Sequence, residues 1–226
     1  MNKDTLIQTV PLFSDLSETS LKVITDKMVA RSYGKEKMIL IEESAGETFF
    51  LISEGTVKIT RMSDDGREVI LAILGEGDFF GEMALLDGEG RSANVVALED
   101  AEVLTLQRSD FLDILERFPK IAIHLLKELT TRIRHSDQQI ESLSLSGAEQ
   151  RIALVLIRLA EEMGQIKEGT VSIEHMPYQQ DIANMAGTSR ETVSRVYKML
   201  EDKNHIVREG KTLKIIAFST FSRQFT

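Results

Sequence analysis

Two short runs hold most of the chemistry available to this chain. The first is Phe79-Phe80-Gly81-Glu82-Met83-Ala84-Leu85-Leu86, followed closely by Arg91-Ser92-Ala93. A glycine that opens a single helical turn leaves backbone N–H groups directed outward, where an anion can sit. Arg91 offers the same anion a bidentate guanidinium fork, and the Ser92 hydroxyl adds a donor. A carboxylate in a phosphate pocket repels its ligand, so Glu82 fits only by accepting a hydrogen bond from a ligand hydroxyl, as a ribose 2′-OH provides. The competing arrangement is a plain turn closed by a Glu82–Arg91 ion pair. No paired nucleophile, metal-ligand cluster or histidine accompanies Glu82 and Arg91 in the run, so binding rather than catalysis is expected, with no enzyme activity and no metal.

The second run is Ser189-Arg190-Glu191-Thr192-Val193-Ser194-Arg195. On a helix, Arg190, Glu191 and Arg195 project from the exposed N-terminal side while Val193, Val196 and Leu200 pack inward. That set suits a DNA major groove. Arginine matches O6 and N7 of guanine, and glutamate accepts from N4 of cytosine. Gln180, Ser189, Thr192 and Lys211 stand where phosphate contacts would fix the register. The plainer alternative is a solvated, salt-bridged helix with Thr188 and Glu191 as a capping box.

The elements that must hold these runs differ along the chain. Thr5 to Met28 reads as short helices, broken at Pro11 and capped at Ser17. Short apolar or alternating runs follow at Met38 to Ile41, Thr48 to Ile52, Thr56 to Met62, Glu68 to Leu74, Asn94 to Ala97 and Ala101 to Leu106, punctuated by glycine turns. Many short strands at this spacing predict an antiparallel roll or barrel. From Phe118 to Leu143 the pattern is helical. Leu125, Leu129, Ile133, Ser136, Ile140 and Leu143 recur at steps of four or three, the seam of a two-stranded coiled coil, and the remaining faces, Arg132 included, are polar enough for solvent. This predicts a homodimer.

Ser144-Leu145-Ser146-Gly147 reads as a hinge, with Ser146 and Glu149 as a capping box for the next helix. Beyond it, a helix to Met185, the turn Ala186-Gly187-Thr188 and a helix from Ser189 to Asp202 make a helix-turn-helix. The strands Ile206 to Val207 and Leu213 to Ala217, joined by Glu209-Gly210-Lys211, add a wing.

The 226 residues carry a formal charge of −9, which by itself argues against nucleic acid. Its distribution argues the other way, because residues 188–226 hold eight basic against four acidic side chains, a net of +4. The chain has no cysteine, which rules out disulfides and thiolate-bound clusters and confines sulfur redox chemistry to methionine. No window of about twenty apolar residues is present and the start lacks an apolar signal core, so a cytoplasmic protein without membrane contact is expected.

The run from Gly81 to Ser92 resembles the phosphate-binding cassette of cyclic-nucleotide-binding domains. That resemblance implies that Gly81, Glu82, Met83, Ala84, Arg91 and Ser92 surround a cyclic ribose phosphate. Over nearly its full length the chain is similar to the bacterial transcription factors of the cyclic AMP receptor protein and fumarate-nitrate regulator family. The likeness is strongest in Ser189-Arg190-Glu191-Thr192-Val193, in Lys198-Met199-Leu200-Glu201-Asp202 and in Gly210-Lys211-Thr212. It implies an α+β fold: a β-roll effector domain over residues 1–117, a dimerisation helix over 118–143, a hinge at 144–147 and a winged helix-turn-helix over 148–226. It further implies a homodimer with no covalent cofactor and a cyclic nucleotide effector, cAMP first. Its partners would be a TGTGA-like palindrome in double-stranded DNA and RNA polymerase. Ser136 and Asp137 match the positions where the family's long helix touches the adenine, and Asp137 places a carboxylate where a hydroxyl is usual. The rival readings are a regulator answering cyclic GMP, cyclic di-GMP, haem or no signal, and a nucleotide-binding module whose helix-turn-helix contacts protein.

Overall fold

The computed structural model describes residues 3–225. The chain forms two compact units, one ending at His135 and the other beginning at Ser136. In the first, α1 (Lys3–Thr9), a 3-10 turn (Pro11–Phe13) and α2 (Glu18–Thr25) precede the strands. These are β1 (Val29–Tyr33), β2 (Met38–Leu40), β3 (Thr48–Glu54), β4 (Val57–Met62), β5 (Glu68–Leu74) and β6 (Phe79–Phe80). Next come α3 (Glu82–Asp87), β7 (Asn94–Ala97), β8 (Ala101–Gln107), α4 (Arg108–Arg117) and α5 (Pro119–Leu145), which continues into the second unit. Two antiparallel sheets result, ordered β1-β8-β3-β6 and β2-β7-β4-β5.

The two-residue period of a strand explains how these layers assemble. On β3 and β8, Phe50, Ile52, Ala101 and Val103 join Val57, Val95 and Ala97 between the sheets. Their alternate neighbours Phe49, Leu51, Leu104 and Leu106 face outward and are covered by helices carrying Leu6, Ile24, Phe111, Ile121 and Leu125. Phe50 stacks on Phe80 at 4.9 Å in one layer, and Phe49 on Phe111 at 4.8 Å in the other. Each fully buried side chain of this size contributes roughly 1.5–3 kcal/mol. A strand apolar on both faces is therefore fixed between two cores. β1 was not expected from the sequence, because four of its five residues are exposed and its place is set by main-chain pairing with β8.

The long helix departs from the seam expected for it. Leu125 is buried in the first unit's own core and Leu129 packs against that core. The exposed apolar residues of the helix are Ile123, Leu126, Ile133, Ile140, Leu143 and Leu145, so the expected seam members Ile133, Ile140 and Leu143 are open, and Ile123 and Leu126 take the place of Leu125 and Leu129. Ser136 is exposed as well, one position away from this stripe. The helix runs through Leu145, where Ser144 donates to the Ile140 carbonyl at 2.8 Å. Only Ser146 and Gly147 therefore separate it from the next helix.

In the second unit α6 (Ala148–Met163) is followed by β9 (Gln165–Lys167), β10 (Thr170–Ile173), α7 (Gln179–Ala186), α8 (Arg190–Asp202), β11 (Ile206–Glu209), β12 (Thr212–Ile215) and α9 (Phe218–Phe225). The N-cap of α6 is Gly147, with no side-chain cap, so the expected Ser146–Glu149 capping box does not form. α7 ends at Gly187, whose φ of 58° is left-handed and suits glycine. A Cβ there would also come within 2.8 Å of Leu143 Cδ2. Arg151 clamps this turn, donating from Nε to the Ala186 carbonyl at 2.8 Å and from Nη2 to that of Gly187 at 3.2 Å. Its Nη1 donates to the carbonyl of Ser146 at 2.8 Å, so one guanidinium holds both the link and the turn. β11 and β12 form the wing of a four-stranded sheet ordered β11-β12-β10-β9. Among the described residues no helix is long and apolar enough to cross a membrane.

Candidate functional site

The cassette is built where β6 leaves the first sheet. Gly81, at a φ of 82°, turns the chain into α3, and its carbonyl accepts from Arg91 Nη1 at 2.7 Å. Arg91 Nη2 donates to the Thr48 carbonyl at 2.8 Å, so the guanidinium is pinned between the start of β3 and the glycine turn. Space there is tight. A Cβ on Gly81 would stand 2.7 Å from Arg91 Nη1, and one on Gly46 would stand 2.4 Å from the Ala84 methyl and 3.1 Å from Arg91 Cζ. Gly46 is a member of the cassette that the sequence did not single out, since it acts through what it leaves empty.

Glu82 and Arg91 are buried, at 3% and 5% exposure, but they do not form the closed ion pair that was the alternative expectation. The cation on Glu82 is Arg132, reaching in from α5 with Nη1 3.2 Å from Oε1. Arg132 also donates from Nη2 to the Phe79 carbonyl at 2.8 Å, and its guanidinium lies over the Phe79 ring at 4.6 Å. Its assignment to a solvent face is therefore corrected. The signal that could have found it is the buried Glu82 carboxyl, which requires a cation from elsewhere in the chain. Burial pushes the Glu82 carboxyl above its ordinary range, opposed by Arg132 and then Arg91. Burial also pulls the Arg91 guanidinium down, opposed by Glu82 and Glu47.

Arg91 Nε is buried and has no hydrogen-bond partner. A buried charge-bearing donor left unmatched is costly, and an anionic oxygen would satisfy it. Beside it, the Ser92 hydroxyl donates to Met83 Sδ at 3.6 Å. A thioether is a weak acceptor, so this proton is readily released to a better one. The structure thus brings Gly81, Glu82, Met83, Ala84, Arg91 and Ser92 together in the turn and helix beside the Arg91 guanidinium. Ser136 and Asp137 lie exposed on α5, in the second unit.

In the second unit, Ser189 caps α8 by accepting from the Thr192 N–H at 3.2 Å, in place of the Thr188–Glu191 box. Val193, Val196, Tyr197 and Leu200 are buried, which leaves Arg190, Glu191 and Arg195 exposed on the opposite side. Arg195 Nη2 donates to Thr192 Oγ1 at 3.3 Å. The Glu191 carboxylate is held below its ordinary range by its own backbone N–H and then the Ser189 hydroxyl, so it is an acceptor at neutral pH. Gln180 is exposed on α7 and donates to Asn184 at 2.9 Å, and Lys211 is exposed at the wing tip beside Gly210.

A buried arginine facing a glycine turn in a two-sheet roll, with a winged helix-turn-helix in the same chain, narrows the comparison with known proteins. The model of the cyclic nucleotide-binding domain matches residues 30–118, and that of the Crp-like helix-turn-helix domain matches residues 150–220. The chain belongs to the Crp/Fnr family of transcription factors. This family member is 36% identical over 216 residues to the cyclic AMP receptor protein of Thermus thermophilus, covering 92% of this chain and 97% of the relative. The fold also matches FixK2 of Bradyrhizobium japonicum, with a TM-score of 0.77 at 23% identity over 87% of this chain and 96% of the other. A c-di-GMP responsive global regulator of Xanthomonas campestris matches with a TM-score of 0.73 at 21% identity, covering 88% and 99%. The protein is a cyclic nucleotide-binding transcription regulator of the Crp/Fnr type.

Proposed function

We propose that this Crp/Fnr regulator is a cytoplasmic homodimer that binds cAMP at the Gly81–Ser92 cassette and reads a TGTGA-like palindrome with α8. The observation that carries the effector half is the unmatched, buried Nε of Arg91, which a cyclic phosphate oxygen satisfies. Ser92 then donates to the phosphate and Glu82 accepts from the ribose 2′-OH. Gly81, Met83 and Ala84 form the wall around the ring, and Ser136 and Asp137 meet the base. On DNA, Arg190, Glu191 and Arg195 read base edges, while Gln180, Ser189, Thr192 and Lys211 fix register on phosphates. The dimer sets two recognition helices about 34 Å apart, one turn of DNA. The nucleotide acts through its different affinity for the arrangements that do and do not fit this spacing. RNA polymerase is the partner through which promoter occupancy becomes transcription.

A second reading rests on Asp137. A carboxylate accepts but does not donate, and the N1–H and N2 amino group of guanine present two donors where adenine presents one amino group. Guanine effectors, cyclic GMP or cyclic di-GMP, are therefore the direct competitors of cAMP. Calorimetric titration with all three decides between them, with cAMP expected to bind tightest. Arg91→Ala is expected to abolish nucleotide-dependent operator binding in a folded protein. An unchanged response in that variant removes Arg91 from the site.

A further inference from the structure

The chain has nine methionines and no cysteine, so two-electron sulfur chemistry falls on thioethers alone. One of these touches the effector site. Met83, on the first turn of α3, is 48% exposed, and its Sδ takes the hydroxyl proton of Ser92 at 3.6 Å. Met38 and Met62 are equally open, at 50% and 52%, but lie on β2 and at the end of β4 rather than in the cassette.

We infer that Met83 is a peroxide-sensitive modification site that lowers effector affinity when oxidised. A sulfur lone pair attacks one oxygen of hydrogen peroxide, the S–O bond forms and the O–O bond breaks. The sulfur loses two electrons to become the sulfoxide, and the other peroxide oxygen leaves as water once the proton has moved to it. The sulfoxide oxygen is a far stronger acceptor than the thioether. It holds the single Ser92 hydroxyl proton, and it sets a partial negative charge at the rim that an anionic ligand must cross. The change is reversible, because methionine sulfoxide reductases restore the thioether. This inference rests on the reading of Arg91 and Ser92 as the phosphate-binding pair.

The test is a cAMP titration of the full-length protein before and after limited hydrogen peroxide treatment, with sulfoxide at each methionine counted by peptide mass. Loss of one hydrogen bond to a charged oxygen predicts an affinity falling about tenfold to a hundredfold as Met83 is oxidised, recovering after methionine sulfoxide reductase. In Met83→Leu the ratio of affinities before and after peroxide is expected to stay at one, whatever its starting affinity. Met38→Leu and Met62→Leu are expected to keep the full peroxide response. An unchanged affinity with Met83 fully oxidised overturns the inference, as does an equal peroxide loss in Met83→Leu. Untreated protein that binds no cyclic nucleotide defeats the underlying assignment of the site instead, and the inference with it.

Discussion

Glu82 and Arg132 form an asymmetric pair: the acid is almost fully enclosed while the base keeps about a quarter of its side chain in solvent. Removing the exposed member strands the buried one. Arg132→Ala is expected to destabilise the first unit by about 3 kcal/mol at pH 7, since an uncompensated buried carboxylate remains. The pH dependence follows from linkage. A carboxyl whose folded-state pKa is raised binds its proton more tightly in the folded chain than in the unfolded one, so stability falls as pH rises through the folded value. Without Arg132 the Glu82 pKa rises further. The deficit of the variant is therefore expected to shrink as pH falls and protonation removes the stranded charge, and to widen as pH rises. Thermal unfolding at a series of pH values checks this, and a deficit independent of pH would mean that Arg132 matters for packing on Phe79 rather than for charge. Residues such as Gly81, Glu82, Arg91 and Ser92 were legible in the sequence because the cassette is nearly contiguous. Arg132 and Gly46 were not, since one arrives fifty residues later along the chain and the other contributes only the absence of a side chain.

At the scale of elements, α5 shows where periodicity runs out. Leu125 and Leu129 satisfy a heptad as well as any residue in the helix, yet they serve the unit's own core. A helix that is apolar on two adjoining faces carries two overlapping stripes, and spacing alone does not say which of them faces a partner chain. Within the exposed apolar set, Ile123, Leu126, Ile133 and Ile140 keep the three-and-four rhythm with Thr130 and Asp137 between them, while Leu143 and Leu145 at the helix end lie off it. On the proposed dimer, neighbouring leucines should then behave in opposite ways. Leu126→Glu, on the exposed stripe, is expected to yield folded monomers whose melting temperature falls only by the lost association and no longer depends on protein concentration. Leu125→Ala is expected to cost about 2–5 kcal/mol of stability through the cavity it leaves, while self-association persists. Light scattering and thermal unfolding on both variants separate the two stripes, and exchanged outcomes would restore Leu125 to the seam. The sheets were more legible than the helix because β3 and β8 alternate cleanly between two cores. β1 was missed because main-chain bonds, which leave no mark on side-chain pattern, hold it in place.

For the whole molecule, a net charge of −9 is reconciled with DNA binding by where the charges lie, with residues 188–226 at +4. Affinity for DNA depends on the phosphates neutralised and not on the overall balance, because each neutralised phosphate releases condensed counterions. Two kinds of side chain on the second unit should therefore part company. Lys211, at the wing tip, is assigned to phosphate, so Lys211→Ala is expected to weaken palindromic and random duplexes alike. It should also reduce the salt slope by about two for a dimer, one phosphate per protomer. Arg195, exposed on α8, is assigned to a base edge. Arg195→Ala is expected to cost the palindrome roughly 1–3 kcal/mol per half-site and random DNA far less, closing the gap between specific and non-specific binding. Titrations of both duplexes across a salt series distinguish the roles. Equal losses on both duplexes for Arg195→Ala would move that residue to the backbone class and leave Arg190 and Glu191 as the base readers.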